Sequence, residues 1–315
     1  MISRSTLIGA LVVVELGIVG MAVRAIAGDS VRSGPASAPF ARGHHHFGFS
    51  PAVAIAGQLD KTLALGNAPH VVIDVQSIDV VIEGGPQPVV HALESTSASG
   101  WVTGRPAPLA AETNPGGVRI TAGEGGVNVM MGEYSHSLHV AVPEGARVEI
   151  LSAGRIDVKG LRAKLTAHSP DGSIHVRDHR GDLDVSSDSG RIELIDVEGA
   201  DIAANTHEGR LYFTRVGADK INGHTNFGRI YAVDLRVKDG ALNTHSGRIS
   251  ASFTANSDAT VKVSTGDGKV SVAGLPSTPA AADDDKSTVQ LGAGQGRFEV
   301  STDEGAVNIS QGANV

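Results

Sequence analysis

Six basic residues each follow a glycine at the same point of a short recurring pattern: Arg155, Arg191, Arg210, Arg229, Arg248 and Lys269. A guanidinium presents a planar fork of donors that matches a carboxylate or phosphate through two bonds at once. If the pattern stacks in space, the four arginines from 191 to 248 form a stripe about 15 Å long, one strand spacing per step. Such a stripe would recognise a repeating anion, for example an acidic polysaccharide or a phosphate-bearing wall polymer. The plainer alternative is neutralisation by neighbours. Asp171, Glu208 and Asp267 precede the glycine, and Asp157 and Glu193 follow it by three; exposed pairs of that kind contribute about 0–1 kcal/mol each. Both readings stand on the residues alone.

Other constellations are weaker. His207 and His245 fall two positions before the glycine, and His168 and His224 four before it, so all four face outward on a strand. His207, His224 and His245 would sit about 8 Å apart with no carboxylate fixed between them, a poor metal set. Asp182, Asp184, Asp188, Glu193 and Asp196 are dense, but they alternate with apolar residues as a solvated strand face does. Nucleophile elbows, His-Glu-x-x-His and phosphate-binding loops are all missing. No catalytic residue, metal or cofactor is expected, and the chain reads as a non-enzyme.

The elements that would hold the basic column follow from its period. Gly154, Gly172, Gly190, Gly209, Gly228, Gly247 and Gly268 are spaced by 18, 18, 19, 19, 19 and 21 residues, with Ser173 the one gap among the basic positions. A repeat this short has no room for a helical hairpin but suits one coil of a solenoid with two strands and two turns. Two and four positions after each glycine the residues are mostly aliphatic, and seven and five before it runs a second, leaner apolar set. Three before stands an unbroken Ser/Thr column: Ser169, Ser187, Thr206, Thr225, Thr244 and Thr265. Stacked hydroxyls at a corner can satisfy turn amides. The glycine is expected at positive φ. An earlier coil is expected at 71–85, loops leave the stack over the Pro-rich 86–117, and 275–288 is an exposed excursion. The strands at 296–300 and 305–309 are expected to close or cap the stack.

Composition agrees. There are 40 Gly, no Cys, and only seven Phe, three Tyr and one Trp among 315 residues. Absence of Cys excludes disulfides and thiolate metal sites, and a net charge of −8 argues against a nucleic-acid partner. So few aromatics leave little outer platform for stacking on sugars and direct recognition toward charge. Leu7–Ala27 is an apolar run long enough to span a bilayer and ends in Ala25-Ile26-Ala27, a small-x-small cleavage pattern. Residues 1–27 are therefore expected as a signal peptide or signal-anchor helix, 28–66 as a flexible linker containing His44–His46, and 67–315 as the solenoid.

The order of an early VIDVQSIDVVIEG coil, then SLHVAVPEGARVEI at 137–150, then repeated S-x-x-G-x-I-x-V coils resembles the bacterial putative-adhesin or β-strand-repeat domain of unknown function over about residues 67–312. In that family the strand–Val–Pro–x–Gly–Ala–strand element precedes the regular coils; here it is Val140-Ala141-Val142-Pro143-Glu144-Gly145-Ala146. The basic column departs from the acidic or small residues common at that position. The resemblance implies a β-solenoid at the cell envelope without established enzyme activity. The combined expectation is an all-β, single-domain parallel β-solenoid (β-helix) with coils of about 18–19 residues, exported or membrane-anchored. It would act as an adhesin-like module toward anionic polysaccharide, wall polymer or another envelope protein. A self-assembling scaffold and a carbohydrate-active β-helix enzyme are the alternatives.

Overall fold

From residue 70 onward apolar side chains recur at every second position, and an extended chain sends such residues to one face. His70–Val75 shows the outcome, with Val71, Ile73 and Val75 buried and their neighbours partly open. The computed structural model describes residues 59–65, 69–123, 125–275, 277–279 and 285–312. The expected helix over 1–27, the His44–His46 triplet and most of the expected linker lie outside these residues. Among the described residues every regular element is a strand.

The first seven strands are β1 (Asp60–Ala64), β2 (His70–Val75), β3 (Asp79–Gly85), β4 (Val89–Arg105), β5 (Leu109–Asn114), β6 (Gly117–Ala122) and β7 (Gly126–Pro143). The regular coils follow as β8 (Arg147–Ser152), β9 (Ile156–Lys159), β10 (Leu165–Ser169), β11 (Ile174–Arg180), β12 (Leu183–Ser187) and β13 (Ile192–Thr206). They continue as β14 (Leu211–Phe227), β15 (Ile230–Leu235), β16 (Asp239–Ser246) and β17 (Ile249–Phe253). Last come β18 (Ala259–Asp267), β19 (Val270–Ala273), β20 (Ser277–Pro279), β21 (Lys286–Leu291), β22 (Gly296–Glu304) and β23 (Val307–Gln311).

Pairing sorts these strands into two ladders. One runs β4, β7, β3, β9, β11, then the first parts of β13 and β14, then β15, β17, β23 and β19. The other runs β5, β6, β2, β8, β10, β12, the later parts of β13 and β14, then β16, β22, β18, β21 and β20. Between β7 and β19, and between β6 and β18, every step is parallel. In the regular coils Ile174 lies opposite Ile192, and Ile192 opposite Leu211. The architecture is all-β and β-solenoid-like, and aliphatic residues of both ladders form one continuous core.

Chain order is not stacking order at either end. The coil of β2 and β3 lies between that of β6 and β7 and that of β8 and β9. The coil of β22 and β23 likewise lies between that of β16 and β17 and that of β18 and β19. Residues 296–309 are thus an interior layer, correcting the expectation that they cap the stack. The outermost layers carry antiparallel strands instead: β4 beside β7 with β1 beside β4, β5 beside β6, and β21 beside β18. Strands also replace the expected loops over 86–117, the final residues of the expected linker (β1), and parts of the expected excursion (β20 and β21). Apolar alternation marks a strand as half-buried but does not name its neighbour.

The glycine column has a different cause from the one expected. None of its seven members has positive φ. Each α-carbon instead sits against the backbone of the layer below, so that a Cβ on Gly172 would overlap the carbonyl of Gly154, and one on Gly190 that of Gly172. The hydroxyl column works as a relay. Ser169 Oγ accepts from Gly172 N–H at 2.9 Å and donates to Gly154 C=O at 3.0 Å. Thr206 does the same between Gly209 and Gly190 at 3.0 and 3.3 Å. The interleaved order shows here too: Thr302 donates to Gly247, and Thr265 to Gly305.

At the opposite corner the alternation changes phase. Asp178, Asp196, Arg215 and Asp234 stack with φ of 52°, 56°, 53° and 57°, the left-handed conformation that Asp tolerates better than most residues. Each turns the next side chain inward, where His179, Val197, Val216 and Leu235 are buried. Neither ring nitrogen of His179 makes a hydrogen bond of good geometry, and burial pushes its pKa down against the opposing pull of the nearby Asp182 and Gly181 backbone. Below about 6.5, the ordinary imidazole value, the unfolded ring binds a proton that the folded ring refuses. Stability should therefore fall with acidification from that point, by up to about 1.4 kcal/mol per pH unit, until the folded pKa is reached. Urea unfolding at pH 7.5 and 5.5 checks this, and His179→Val should flatten the dependence.

Candidate anion-binding face

The basic column emerges on the corner where the second ladder turns into the first. Arg191, Arg210, Arg229 and Arg248 precede Ile192, Leu211, Ile230 and Ile249, which are in register on adjacent strands. All four are exposed and lie one spacing of about 4.8 Å apart along the stack. Arg155 and Lys269 are exposed on the same corner but stand off from the four. Ser173 separates Arg155 from Arg191. Ala306 separates Lys269 from Arg248, because Val307 lies between Ile249 and Val270. The expected run therefore ends at Arg248.

Neutralisation by carboxylates holds for one member. Arg155 Nε pairs with Asp157 at 2.7 Å, and its Nη2 lies 3.1 Å from His175 Nδ1. Among the described residues Arg191, Arg210, Arg229, Arg248 and Lys269 have no carboxylate partner, and Asp171, Glu208 and Asp267 pair with none of them. The Arg155–Asp157 pair is bidentate, since Arg155 Nη2 also donates to Asp157 Oδ1 at 3.0 Å; a second bidentate pair lies at the other corner, where Arg215 holds Asp196 at 2.5 and 2.7 Å. The Arg215 guanidinium keeps the Asp196 carboxyl below its usual range.

Aromatic rings take the place of carboxylates. Tyr212 and Tyr231 stack with centroids 5.2 Å apart and planes 15° from parallel. The Arg191 guanidinium lies 5.3 Å over the Tyr212 ring, and Arg229 Nη1 is 3.4 Å from the Tyr231 hydroxyl. Across the corner the exposed Phe227 is flanked edge-on by His207 and His245. The expectation of little outer stacking platform is corrected: two of the three tyrosines stand beside the column. Both lie three positions after their glycine, so the same repeat alignment contains the signal. The histidines serve as hydrogen-bonding groups. His224 reaches Asn226, Asn226 reaches His207, and His245 pairs with Asp303 at 2.6 Å.

Residues 69–310 match the family described as Toastrack DUF4097. The chain belongs to this family. Its Toastrack region spans both ladders and therefore the whole basic column. Two solved structures are similar. One is a putative cell adhesion protein from Clostridium sporogenes, at 13% identity over 80% of this chain and 100% of that one, with a TM-score of 0.29. The other is a putative adhesin from Bacteroides fragilis, at 9% identity over 80% and 96%, with a TM-score of 0.41. No curated protein matches the chain.

A second polar site in this Toastrack chain has no signature in the repeat. His136 Nε2 lies 2.8 Å from Glu94 Oε1, both side chains buried, while Glu94 Oε2 and Thr96 Oγ1 have no partner. His136 and Tyr134 line a cleft of about 910 Å³ together with Asp74, Gln76 and Ser77. Burial and the nearby Glu94 raise the pKa of the Tyr134 hydroxyl. Glu94 and His136 lie 42 residues apart and meet only through the β4–β7 register, which no local pattern reveals.

Proposed function

We propose that the protein is a non-enzymatic, adhesin-like module of the cell envelope that binds a linear anionic polymer along Arg191, Arg210, Arg229 and Arg248. The observation that carries this reading is the stack of four exposed guanidiniums without carboxylate partners. Like charges about 4 Å apart repel by about 1 kcal/mol per neighbouring pair in water, and an anion laid along the corner would offset that repulsion. The Tyr212–Tyr231 pair favours a sugar polymer, since it adds apolar ring surface and hydroxyls beside the charges. The Leu7–Ala27 run supports placement of the body outside the cytoplasm, by export or by a membrane anchor.

Immobilised polygalacturonate, linear polyphosphate and neutral dextran test the proposal. Binding to the two anions should weaken with added salt, and dextran should not bind. Changing the four arginines to Gln should weaken anion binding by roughly tenfold or more, about 1.4 kcal/mol, with an unchanged β-type circular dichroism spectrum. Tyr212→Ala with Tyr231→Ala should weaken polygalacturonate binding more than polyphosphate binding. Equal binding by the arginine variant and the parent rejects the column as the site.

A further inference from the structure

Strands β4 and β7 run on beyond the ladder to which they belong. β7 pairs with β3 only from Ser137 to Pro143, whereas β4 and β7 stay paired with each other out to Arg105 and Gly126. Residues 97–105 and 126–134 thus form a two-stranded arm with no third strand beside it among the described residues. The arm has no charged residue from Ser97 to Gly104 or from Gly126 to Gly132, in a chain whose net charge is −8. Trp101 lies opposite Met131, and the register slips between Trp101 and Val102, leaving Met130 as the extra residue. A bulge of this kind sets two residues against one, so both methionines accompany the indole. Trp101 is 61% exposed, Met130 75% and Met131 70%.

A cluster of large apolar side chains on a two-stranded ribbon whose residues 97–104 and 126–132 carry no charge calls for a covering partner. Three observations select a lipid surface. An indole carries an apolar body and one N–H donor, which suits the boundary between headgroups and acyl chains. The missing charges remove the main cost of placing the ribbon there. Third, β1 is antiparallel to β4, and Leu59 just before it accepts from Glu94 N–H at 2.9 Å through its carbonyl. Toward its amino-terminal end, the side in sequence of the Leu7–Ala27 run, β1 therefore points along β4 toward Trp101. A strand laid on the edge of the arm would take up backbone groups and leave the Trp101 face open. The free edges of the ribbon also keep insertion shallow, because unpaired backbone groups need water or headgroups.

We propose that the β4–β7 arm is a lipid-docking element that rests Trp101, Met130 and Met131 in the interfacial layer of a bilayer. It is a membrane contact separate from the Leu7–Ala27 run. Trp101 is the only Trp in the chain, so the fluorescence of the full protein reports the arm alone. On addition of phosphatidylcholine vesicles the emission should shift to the blue, and lipids brominated in the acyl chain should quench it. Quenching by iodide should fall roughly threefold or more as the indole leaves water. Met130→Ser with Met131→Ser should diminish all three changes while leaving the fold intact.

A protein that floats with vesicles while Trp101 stays open to iodide is held by the amino-terminal run alone and overturns the proposal. An emission already blue without vesicles also overturns it. Dilution then identifies the cover, since a second copy dissociates and a segment of the same chain does not.

Discussion

Replacing Gly209 with alanine should lower the unfolding free energy by about 3 kcal/mol or more, while the same exchange at Gly145 should change it by less than about 0.5 kcal/mol. Neither residue has positive φ, so the contrast isolates close approach from backbone strain. A Cβ on Gly145 meets nothing within 4 Å, whereas one on Gly209 would overlap the Gly190 carbonyl and crowd Thr206 Oγ1. The layer cannot recede, because Leu211 is tied to Ile192 on one ladder and Thr225 to Thr206 on the other. The clash also displaces Gly209 N–H from Thr206 Oγ1, and with it the donation from Thr206 to Gly190. Each buried group left without a partner costs about 1–3 kcal/mol, and domains are stable by only about 5–15 kcal/mol. Urea midpoints of the two variants against the parent check the expectation. Equal midpoints would mean that the stacked glycines tolerate a methyl and that the layers slide.

The regular coils were legible because their determinants are local. Ile174 and Val176 point inward through period two, and the Gly and Ser/Thr columns recur every 18 to 21 residues. The exception inside the coils is the left-handed column at Asp178, Asp196, Arg215 and Asp234. A polar residue there reads as one more outward position, yet it shifts the phase so that His179 and Val197 turn inward. Partner choice among similar aliphatic strands was not legible. Val118 and Ile120 of β6, or Val307 and Ile309 of β23, would fit almost any layer, and only the whole assembly decides which one. The same distinction divides the candidate sites. The arginine column and Tyr212 with Tyr231 share offsets from a repeating glycine, while Glu94 with His136 and Trp101 with Met131 join through a long antiparallel register interrupted by a bulge.

Phe298→Ala should cost about 3–5 kcal/mol, the penalty of a fully buried aromatic rather than of a residue in a frayed cap. Phe298 is 1% exposed, packs edge-on against Phe253 with centroids 5.8 Å apart, and lies between Gly240 and Val261 in register. Gly240 has no side chain to offer the core at that level, so the ring supplies volume its neighbour lacks, and truncation would leave a void spanning two layers. Engineered cysteines separate the interleaved order from a sequential one, since the chain has none of its own. Ser250 lies opposite Asn308, and Asn308 opposite Ser271. Ser250→Cys with Asn308→Cys places two thiols on adjacent strands about 4.8 Å apart, within disulfide reach. Ser250→Cys with Ser271→Cys places them about two strand spacings apart, beyond the roughly 7 Å limit. Oxidation should therefore cross-link the first pair and leave the second reduced. The reverse result would put β18 and β19 directly on β16 and β17, and would join Lys269 to Arg248 in a longer basic column.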